Sequence, residues 1–157
     1  MEIERKYTIK TLPDYLDNYP VRIIEQGYLC TEPVLRIRRD NDDYYFTLKG
    51  RGMMERLEEN MPISAETYAH LLTKIDGALI QKKRYMIPLD APSFKEGYTP
   101  SENLALVIEL DIFTSPKPLI MAEVEFPDSE CANAFIAPDW FDEDVTMDRR
   151  YHNSNMV

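Results

Sequence analysis

Short stretches in which polar and apolar residues alternate recur along most of the chain. Strict alternation is typical of β-strands with one buried face. Several of the stretches are separated by turn-forming residues, such as Asp40–Asn41–Asp42–Asp43. The pattern predicts a mainly β (α+β) fold with eight strands, at residues 2–9, 22–29, 34–39, 44–49, 56–63, 82–89, 105–113 and 120–126.

Two segments have helical rather than strand periodicity. Residues 65–75 follow Ser64 as a candidate N-cap, carry apolar residues on one face and stop at Gly77. Residues 129–137 follow Asp128 in the same way. These two segments predict helices that cover part of the strands.

The rest of the chain adds little regular structure. Residues 12–19 predict a third, short helix, and the Pro-, Ser- and Glu-containing stretch at 91–103 predicts a long surface connection. There is no internal repeat, low-complexity segment or linker. We therefore expect one domain over residues 1–157.

Most predicted strands have one charged face, because side chains two positions apart point the same way. An open sheet with its charged faces in water is one interpretation. However, solvated faces usually mix in Ser, Thr, Gln and Asn, whereas paired basic or acidic residues dominate here. A closed eight-stranded antiparallel β-barrel with the charges inside and flanking helices outside fits better. The residues on these faces are Glu2, Glu4, Lys6, Arg36, Arg38, Thr47, Lys49, Arg56, Glu58, Asn60, Lys82, Arg84, Glu109, Asp111, Glu123 and Glu125.

A charged interior needs partners or ligands to offset desolvation. Arg and Lys suit phosphate oxygens, and Arg can bind them in a bidentate manner. Clustered carboxylates suit hard divalent cations such as Mg²⁺ or Mn²⁺. Both clusters in one cavity indicate a metal–polyphosphate complex.

Composition narrows the class of protein further. The net charge of −10 argues against nucleic-acid binding, which needs a basic face. No apolar run is long enough to cross a membrane, and the N-terminus has no signal-peptide character. Cys30 and Cys131 form no ligand pattern with the two histidines, so we expect free thiols and a cytoplasmic location. No GxGxxG or GxxxxGK[ST] motif occurs.

The order of the charged residues along the chain resembles that of the CYTH proteins, also called triphosphate tunnel metalloenzymes. Glu2-x-Glu4-x-Lys6 resembles the ExExK signature of that family. The similarity continues over essentially the whole chain, through Arg36-x-Arg38, Thr47-Leu48-Lys49-Gly50, Arg56-x-Glu58, Lys82-x-Arg84, Glu109-x-Asp111, Glu123-x-Glu125, Val145-Thr146 and Tyr151-x-Asn153. The resemblance implies an eight-stranded tunnel that acts on triphosphate compounds with divalent metal ions.

The resemblance also implies roles for individual residues. Glu2, Glu4 and Glu125 would hold metal, with Glu58 and Glu123 as further or water-mediated ligands. Tyr28 and Lys82 match a Tyr–Lys pair placed near the attacking water. The chain departs from the family pattern RxExE at Asn60, which puts a second metal site in doubt. Phosphate oxygens would be contacted by Lys6, Arg36, Arg38, Lys49, Arg56 and Arg84.

Three function classes follow from these expectations. The first is a triphosphatase, expected to act on inorganic triphosphate because no segment indicates a nucleobase pocket, with thiamine triphosphate as an alternative substrate. The second is an adenylate cyclase, which uses the same groups to fold the ribose 3′-hydroxyl onto the α-phosphate. The third is a polyphosphate-binding module without catalysis. The partner in each case is a small triphosphate rather than nucleic acid or membrane, and a homodimer is compatible with all three.

Overall fold

The computed structural model describes residues Met1 to Val157. It has twelve strands and two α-helices, α1 (Ala65–Leu72) and α2 (Ser129–Ala134), with 3₁₀ turns at Leu16–Asn18, Arg149–Tyr151 and Asn153–Asn155. Neither helix has the length and apolarity that crossing a bilayer requires. The strands are β1 (Glu2–Ile9), β2 (Val21–Thr31), β3 (Val34–Asp40), β4 (Asp43–Lys49), β5 (Glu55–Arg56), β6 (Glu58–Pro62), β7 (Asp76–Leu89), β8 (Ser93–Phe94), β9 (Leu106–Ser115), β10 (Leu119–Glu125), β11 (Phe135–Ile136) and β12 (Phe141–Asp144).

The main sheet curls into a nearly closed antiparallel barrel, as predicted. Its strands follow the order β12–β1–β10–β9–β7–β2–β3–β4–β6. The strand predicted over 56–63 is interrupted at Leu57, and its first part, β5, pairs with β1 through Glu2 opposite Arg56. Counted as one interrupted strand, β5 and β6 complete a ring of eight. β12 adds to the far end of β1 as a ninth strand.

The apolar faces of one half of the barrel point outward and form the main core. α2 and the segment around β8 cover this face, burying Cys131 and Ala132 completely. Burial of a large apolar side chain stabilises the fold by about 1.5–3 kcal/mol, so this core is a principal source of stability. Its residues on β1, β7, β9 and β10 are Ile3, Tyr7, Ile87, Leu106, Ile108, Leu110, Ala122 and Val124.

α1 covers another part of the barrel but is shorter than predicted. Ser64 caps it as expected, accepting a hydrogen bond from the Thr67 amide at 3.0 Å. The helix ends at Leu72, and β7 begins at Asp76, six residues before the predicted strand. Ile75 leaves the helix to pack on Gly27, where an added Cβ would lie only 2.6 Å from the Ile75 side chain.

Two other predicted helices are corrected by the structure. Residues 12–19 form only the 3₁₀ turn Leu16–Asn18, since the segment between Pro13 and Pro20 is rich in Asp and Asn, which favour turns. Asp128 caps α2 as predicted, but the helix ends at Ala134. Phe135 and Ile136 then form β11, which pairs with β8 inside the segment predicted as a surface connection.

One end of the barrel is filled by the C-terminal segment. Tyr151, Met156 and Val157 pack against an apolar cluster, all of whose members except Val145 are strand residues. Gly77 permits this close approach, since a Cβ there would lie 2.9 Å from the Val157 backbone. The cluster consists of Tyr28, Val34, Ile80, Phe113, Met121 and Val145.

Candidate active site

Most of the inward-facing charges are segregated by sign, with Lys6 on β1 as an exception. Strand pairing places Glu4 opposite Glu125 and Glu123 opposite Glu109, which makes one side of the interior acidic. On the other side Arg22 lies opposite Arg84. We call Glu2, Glu4, Glu109, Asp111, Glu123 and Glu125, on β1, β9 and β10, the acidic wall. We call Arg22, Arg36, Arg38, Lys49, Lys82 and Arg84, on β2, β3, β4 and β7, the basic wall.

Arg84 is the strongest link between the two walls. Its guanidinium donates to both Asp111 oxygens, at 2.7 and 2.8 Å, and lies 3.4 Å from Glu123 Oε2. It also forms an ion pair with Glu109. Burial alone would raise the pKa of Asp111, but the Arg84 and Lys82 charges outweigh burial and lower that pKa. Arg84 is therefore fully neutralised by the protein itself.

Lys6 and Lys49 also pair with carboxylates of the acidic wall. Lys6 Nζ is buried and lies 3.1 Å from Glu123 and 3.6 Å from Glu4. Burial would lower the pKa of Lys6, but the Glu123 and Glu4 carboxylates raise it overall. Lys49 Nζ lies 3.0 Å from Glu2 and 3.9 Å from Glu58. Both lysines occupy positions between carboxylates where a divalent ion would compete with them.

Arg36 and Arg38 are different, because no carboxylate lies within 4.0 Å of either. Arg36 donates to Thr47 Oγ1 at 3.1 Å, and Arg38 donates to Gln26 Oε1 at 2.8 Å. Arg36 Nε is the only buried side-chain nitrogen or oxygen without a partner. Burial and the Arg36 and Arg84 charges lower the pKa of Arg38 to about 9. Such groups are costly to bury alone, so this part of the interior has the electrostatic character of an anion site.

The acidic wall has the donor chemistry of a metal site. All its donors are carboxylate oxygens, which hard divalent cations prefer. Burial, together with neighbouring carboxylates, raises the pKa of Glu2 and Glu4, and raises that of Glu125 to about 7. No three of these groups converge on one point, since Glu2, Glu4 and Glu123 are turned toward lysines. The residues fit a divalent ion chemically, provided that the lysines turn away.

Asn60, where the chain departs from the family pattern, is engaged within the wall of the barrel. Its Oδ1 accepts from Thr47 Oγ1 at 2.6 Å, and its Nδ2 donates to Glu58 at 3.1 Å. The Asn60 amide therefore connects Glu58 to Thr47, which accepts a hydrogen bond from Arg36.

Tyr28 and Lys82 both lie inside the barrel, but no hydrogen bond joins them. Lys82 Nζ donates to Asp111 at 2.8 Å and lies 3.5 Å from Asn153 Oδ1. Burial, partly offset by Asp111, and the Arg84 charge lower the pKa of Lys82 to about 7. The Tyr28 hydroxyl accepts from Gln26 Nε2 at 3.1 Å. The Lys82 amine is therefore the strongly pKa-shifted base candidate in this part of the interior.

Two predicted site residues lie away from the centre. Arg56 donates to the Gly50 carbonyl at 3.1 Å and lines a cavity of about 310 Å³ at the filled end of the barrel, with His152 and Arg149. Glu125 is exposed and, with Glu109, lines a half-apolar cavity of about 590 Å³.

Sequence reasoning missed some residues of the interior. No role was predicted for Arg22, although it lies an even number of positions from Tyr28 on β2 and so shares its face. Asp111 was predicted to lie on a charged face but was also given no role. Asn153 reaches Lys82 from a segment without strand periodicity, so only the resemblance to the family gave a signal. Four cations without a predicted site role are exposed: Lys83, Arg39, Arg149 and Arg150.

Comparison with known proteins adds independent information. Residues 1–112 match the CYTH domain family. An inorganic triphosphatase of Nitrosomonas europaea is 38% identical, with 99% of this chain and 96% of the relative covered. An inorganic triphosphatase of Acetivibrio thermocellus is 31% identical, with 99% and 92% covered. The crystal structure of the inorganic triphosphatase NE1496 superposes with a TM-score of 0.63 at 34% identity, with 99% of this chain and 93% of that chain covered.

Proposed function

The chain belongs to the CYTH domain family, and from this premise we propose that it is a metal-dependent hydrolase of inorganic triphosphate. Both curated relatives described above carry that activity in their names. The observation that carries the proposal is the pair Arg36 and Arg38, two guanidiniums inside the barrel without carboxylate partners. They share the interior with Glu2, Glu4 and Glu125 of the acidic wall, whose pKa values are raised by burial and by neighbouring carboxylates. A polyphosphate with a divalent ion would neutralise both features.

The basic wall binds and orients the substrate. Arg36 and Arg38 contact oxygens of the phosphate chain, and Arg84 adds a contact from a position that Asp111 holds rigid. Lys6 and Lys49 turn from carboxylates to phosphate oxygens, and Arg56 binds at the filled end. Hydrolysis of a phosphoanhydride depends mainly on such positioning and charge neutralisation.

Glu2, Glu4 and Glu125, with Glu58 and Glu123 as further ligands, would hold Mg²⁺ or Mn²⁺. When bound, such an ion would supply positive charge that neutralises the phosphate oxygens of the substrate. The release of Lys6 and Lys49 to the substrate leaves these carboxylates free.

Lys82 accepts the proton of the attacking water. Its pKa of about 7 leaves a large share of the amine neutral near neutral pH. Water oxygen then bonds to a terminal phosphorus, the bridging P–O bond breaks, and orthophosphate and pyrophosphate form. Tyr28 orients the water through its hydroxyl, and Gln26 holds that hydroxyl in place.

Phosphate release from tripolyphosphate, thiamine triphosphate and ATP tests the function. Each substrate is assayed with Mg²⁺, Mn²⁺ or EDTA. We expect release that is fastest from tripolyphosphate and absent with EDTA. Formation of cyclic AMP without phosphate release, or tight binding of tripolyphosphate without turnover, would contradict the proposal.

The metal assignment has a separate test in Glu4→Gln. Loss of one charged ligand is expected to raise the Mg²⁺ concentration for half-maximal rate about tenfold or more. Glu59→Gln is the matched control, because Glu59 is exposed on β6. An unchanged Mg²⁺ requirement in Glu4→Gln would rule out Glu4 as a ligand.

We also propose a cytoplasmic location and a homodimer. Both cysteines are free, which agrees with a cytoplasmic location. Light scattering of the purified protein measures its molar mass and so tests whether it forms the predicted homodimer.

A further inference from the structure

Arg22 lies at the start of β2, at the end of the barrel opposite the C-terminal segment. We infer that Arg22 is a specificity-determining residue, which binds the outermost phosphoryl group of inorganic triphosphate and favours it over triphosphate esters. The inference rests on the proposed function, since it concerns which triphosphates that site accepts.

The position of Arg22 continues a line of guanidiniums. Pairing of β2 with β3 puts Arg38 beside Gln26 and Asp40 beside Ile24, so Arg22 lies beyond both toward the strand ends. On its other side Arg22 lies opposite the buried Arg84. Arg22 therefore lies on the inward-facing side of β2, although its side chain is 46% exposed.

A cavity joins these groups. It measures about 240 Å³ and is lined by Arg22, Arg36 and Arg38, with Asp40 and Glu58 as the only carboxylates. Arg36 is buried, Arg38 is half-buried and Arg22 is exposed. Three guanidiniums thus lead from the interior to solvent, and two of them lack an anionic partner. A phosphate chain that engages the inner two has its outer end near Arg22.

The outer end is where inorganic triphosphate differs from an ester. In an ester that enters with its free phosphates first, the outermost phosphorus is linked to an organic group and carries one negative charge. In inorganic triphosphate the same position holds a terminal phosphoryl group with a further ionisable oxygen. A guanidinium can bind two such oxygens in a bidentate manner, so Arg22 gains more from the inorganic substrate.

Asp40 competes with the substrate for Arg22. The nearest nitrogen–oxygen distance between them is 3.6 Å, and no hydrogen bond is formed. An ion pair this exposed is weak, so a phosphoryl group can displace Asp40. Replacement of Asp40 by Asn should therefore leave Arg22 freer to bind substrate.

The test compares Arg22→Gln and Asp40→Asn with Arg39→Gln, an exposed arginine of β3 that points outward. The measurements are kcat/KM for tripolyphosphate and ATP, and calorimetric affinities of the metal-free protein for both. For Arg22→Gln we expect about a tenfold loss for tripolyphosphate and less than about a twofold loss for ATP, as for one charge-assisted contact. Asp40→Asn is expected to strengthen tripolyphosphate binding, and Arg39→Gln to change neither substrate.

Equal losses for both substrates, or no loss for tripolyphosphate, would overturn the inference. Thermal unfolding of each variant confirms that the comparison is made on folded protein. A protein that releases no phosphate from tripolyphosphate would instead contradict the proposed function. The calorimetric affinities of Arg22→Gln would still decide the role of Arg22 in that case.

Discussion

The acidic and basic walls have similar numbers of charges but satisfy them in different ways. Carboxylates of the acidic wall are largely held by protein cations, with Lys6 between Glu4 and Glu123 and Arg84 on Asp111. On the basic wall, Arg36 and Arg38 contact only neutral side chains. Every carboxylate of the acidic wall except Glu125 therefore has a cationic partner within the protein, whereas Arg36 and Arg38 have no anionic partner.

This difference separates stability from function within one cavity. A charge that is paired inside the protein supports the fold, and its removal exposes the partner's charge. A buried charge without a partner costs stability, so its presence indicates a ligand that supplies the missing charge. The following substitutions test this separation.

Arg84→Gln should have the largest effect on stability. It leaves Asp111, Glu109 and Glu123 without their shared cation, so we expect a loss of about 3–5 kcal/mol in the free energy of unfolding. Urea denaturation measures the change. Lys83→Gln, an exposed neighbour on the same strand, is the control. Similar losses in the two variants would mean that Arg84 is not the cation that balances the acidic wall.

Lys82→Met should reduce turnover about a hundredfold, because it removes the proposed proton acceptor. In the unmodified protein, kcat/KM for tripolyphosphate should rise with pH through about 7, the pKa of Lys82, as the amine loses its proton. This limb should disappear in the variant and persist in Lys83→Met. A pH profile that is the same in both variants would remove Lys82 from the reaction.

Arg38→Gln should separate activity from stability most clearly. We expect kcat/KM for tripolyphosphate to fall about thirtyfold, equivalent to about 2 kcal/mol of lost charge-assisted binding. The free energy of unfolding should stay the same or rise, because a half-buried guanidinium without a carboxylate partner is removed. Steady-state kinetics and urea denaturation on one preparation measure both. A marked loss of stability would contradict the contrast between the walls.

Glu125→Gln should have the smallest effect, visible in the pH dependence of stability. In metal-free protein the pKa of Glu125 is raised to about 7, from an ordinary 4.5. Between these two pH values the folded state binds more protons than the unfolded state. Protonation of Glu125 therefore stabilises the folded protein at low pH, and this stabilisation is lost as pH rises from 4.5 through about 7. Since Glu125 is exposed, solvent screening reduces the effect to about 1 kcal/mol or less.

Denaturation in EDTA at several pH values measures this loss. The slope should be smaller in Glu125→Gln and unchanged in Glu59→Gln. Added Mg²⁺ should flatten the slope in the unmodified protein. If Glu125→Gln has the same slope as the unmodified protein, the carboxylates of the acidic wall do not repel one another at Glu125.

The alternation of side chains along the strands predicted most of the charged residues that face the interior. Glu109, Asp111 and Lys82 each lie where alternation places them, because a strand offers only two faces. Parity does not say which charges meet, since that depends on register and stagger between strands distant in the chain. The pairing of Arg84 with Asp111 and the lack of a carboxylate at Arg36 therefore could not be predicted.

The remaining differences have local causes. Ile75 matches the apolar face of the predicted helix, but it lies outside α1, where it packs on Gly27 of β2. The C-terminal segment has no strand alternation, and its position inside the barrel depends on apolar contacts such as Met156 with the cluster around Ile80. Such contacts are tertiary and have no period to detect.

The pairing of β1 with β10 has a consequence for the order of events during synthesis. Lys6 and Glu123, which meet across that pair, are 117 positions apart in the chain. β2, β3 and β4 are neighbours in sequence and can pair as soon as they leave the ribosome, whereas contacts of such separation form late. In the nascent protein, the strands that carry Arg22, Arg36 and Arg38 would thus pair well before β1 and β10 bring together the carboxylates proposed to hold a divalent ion.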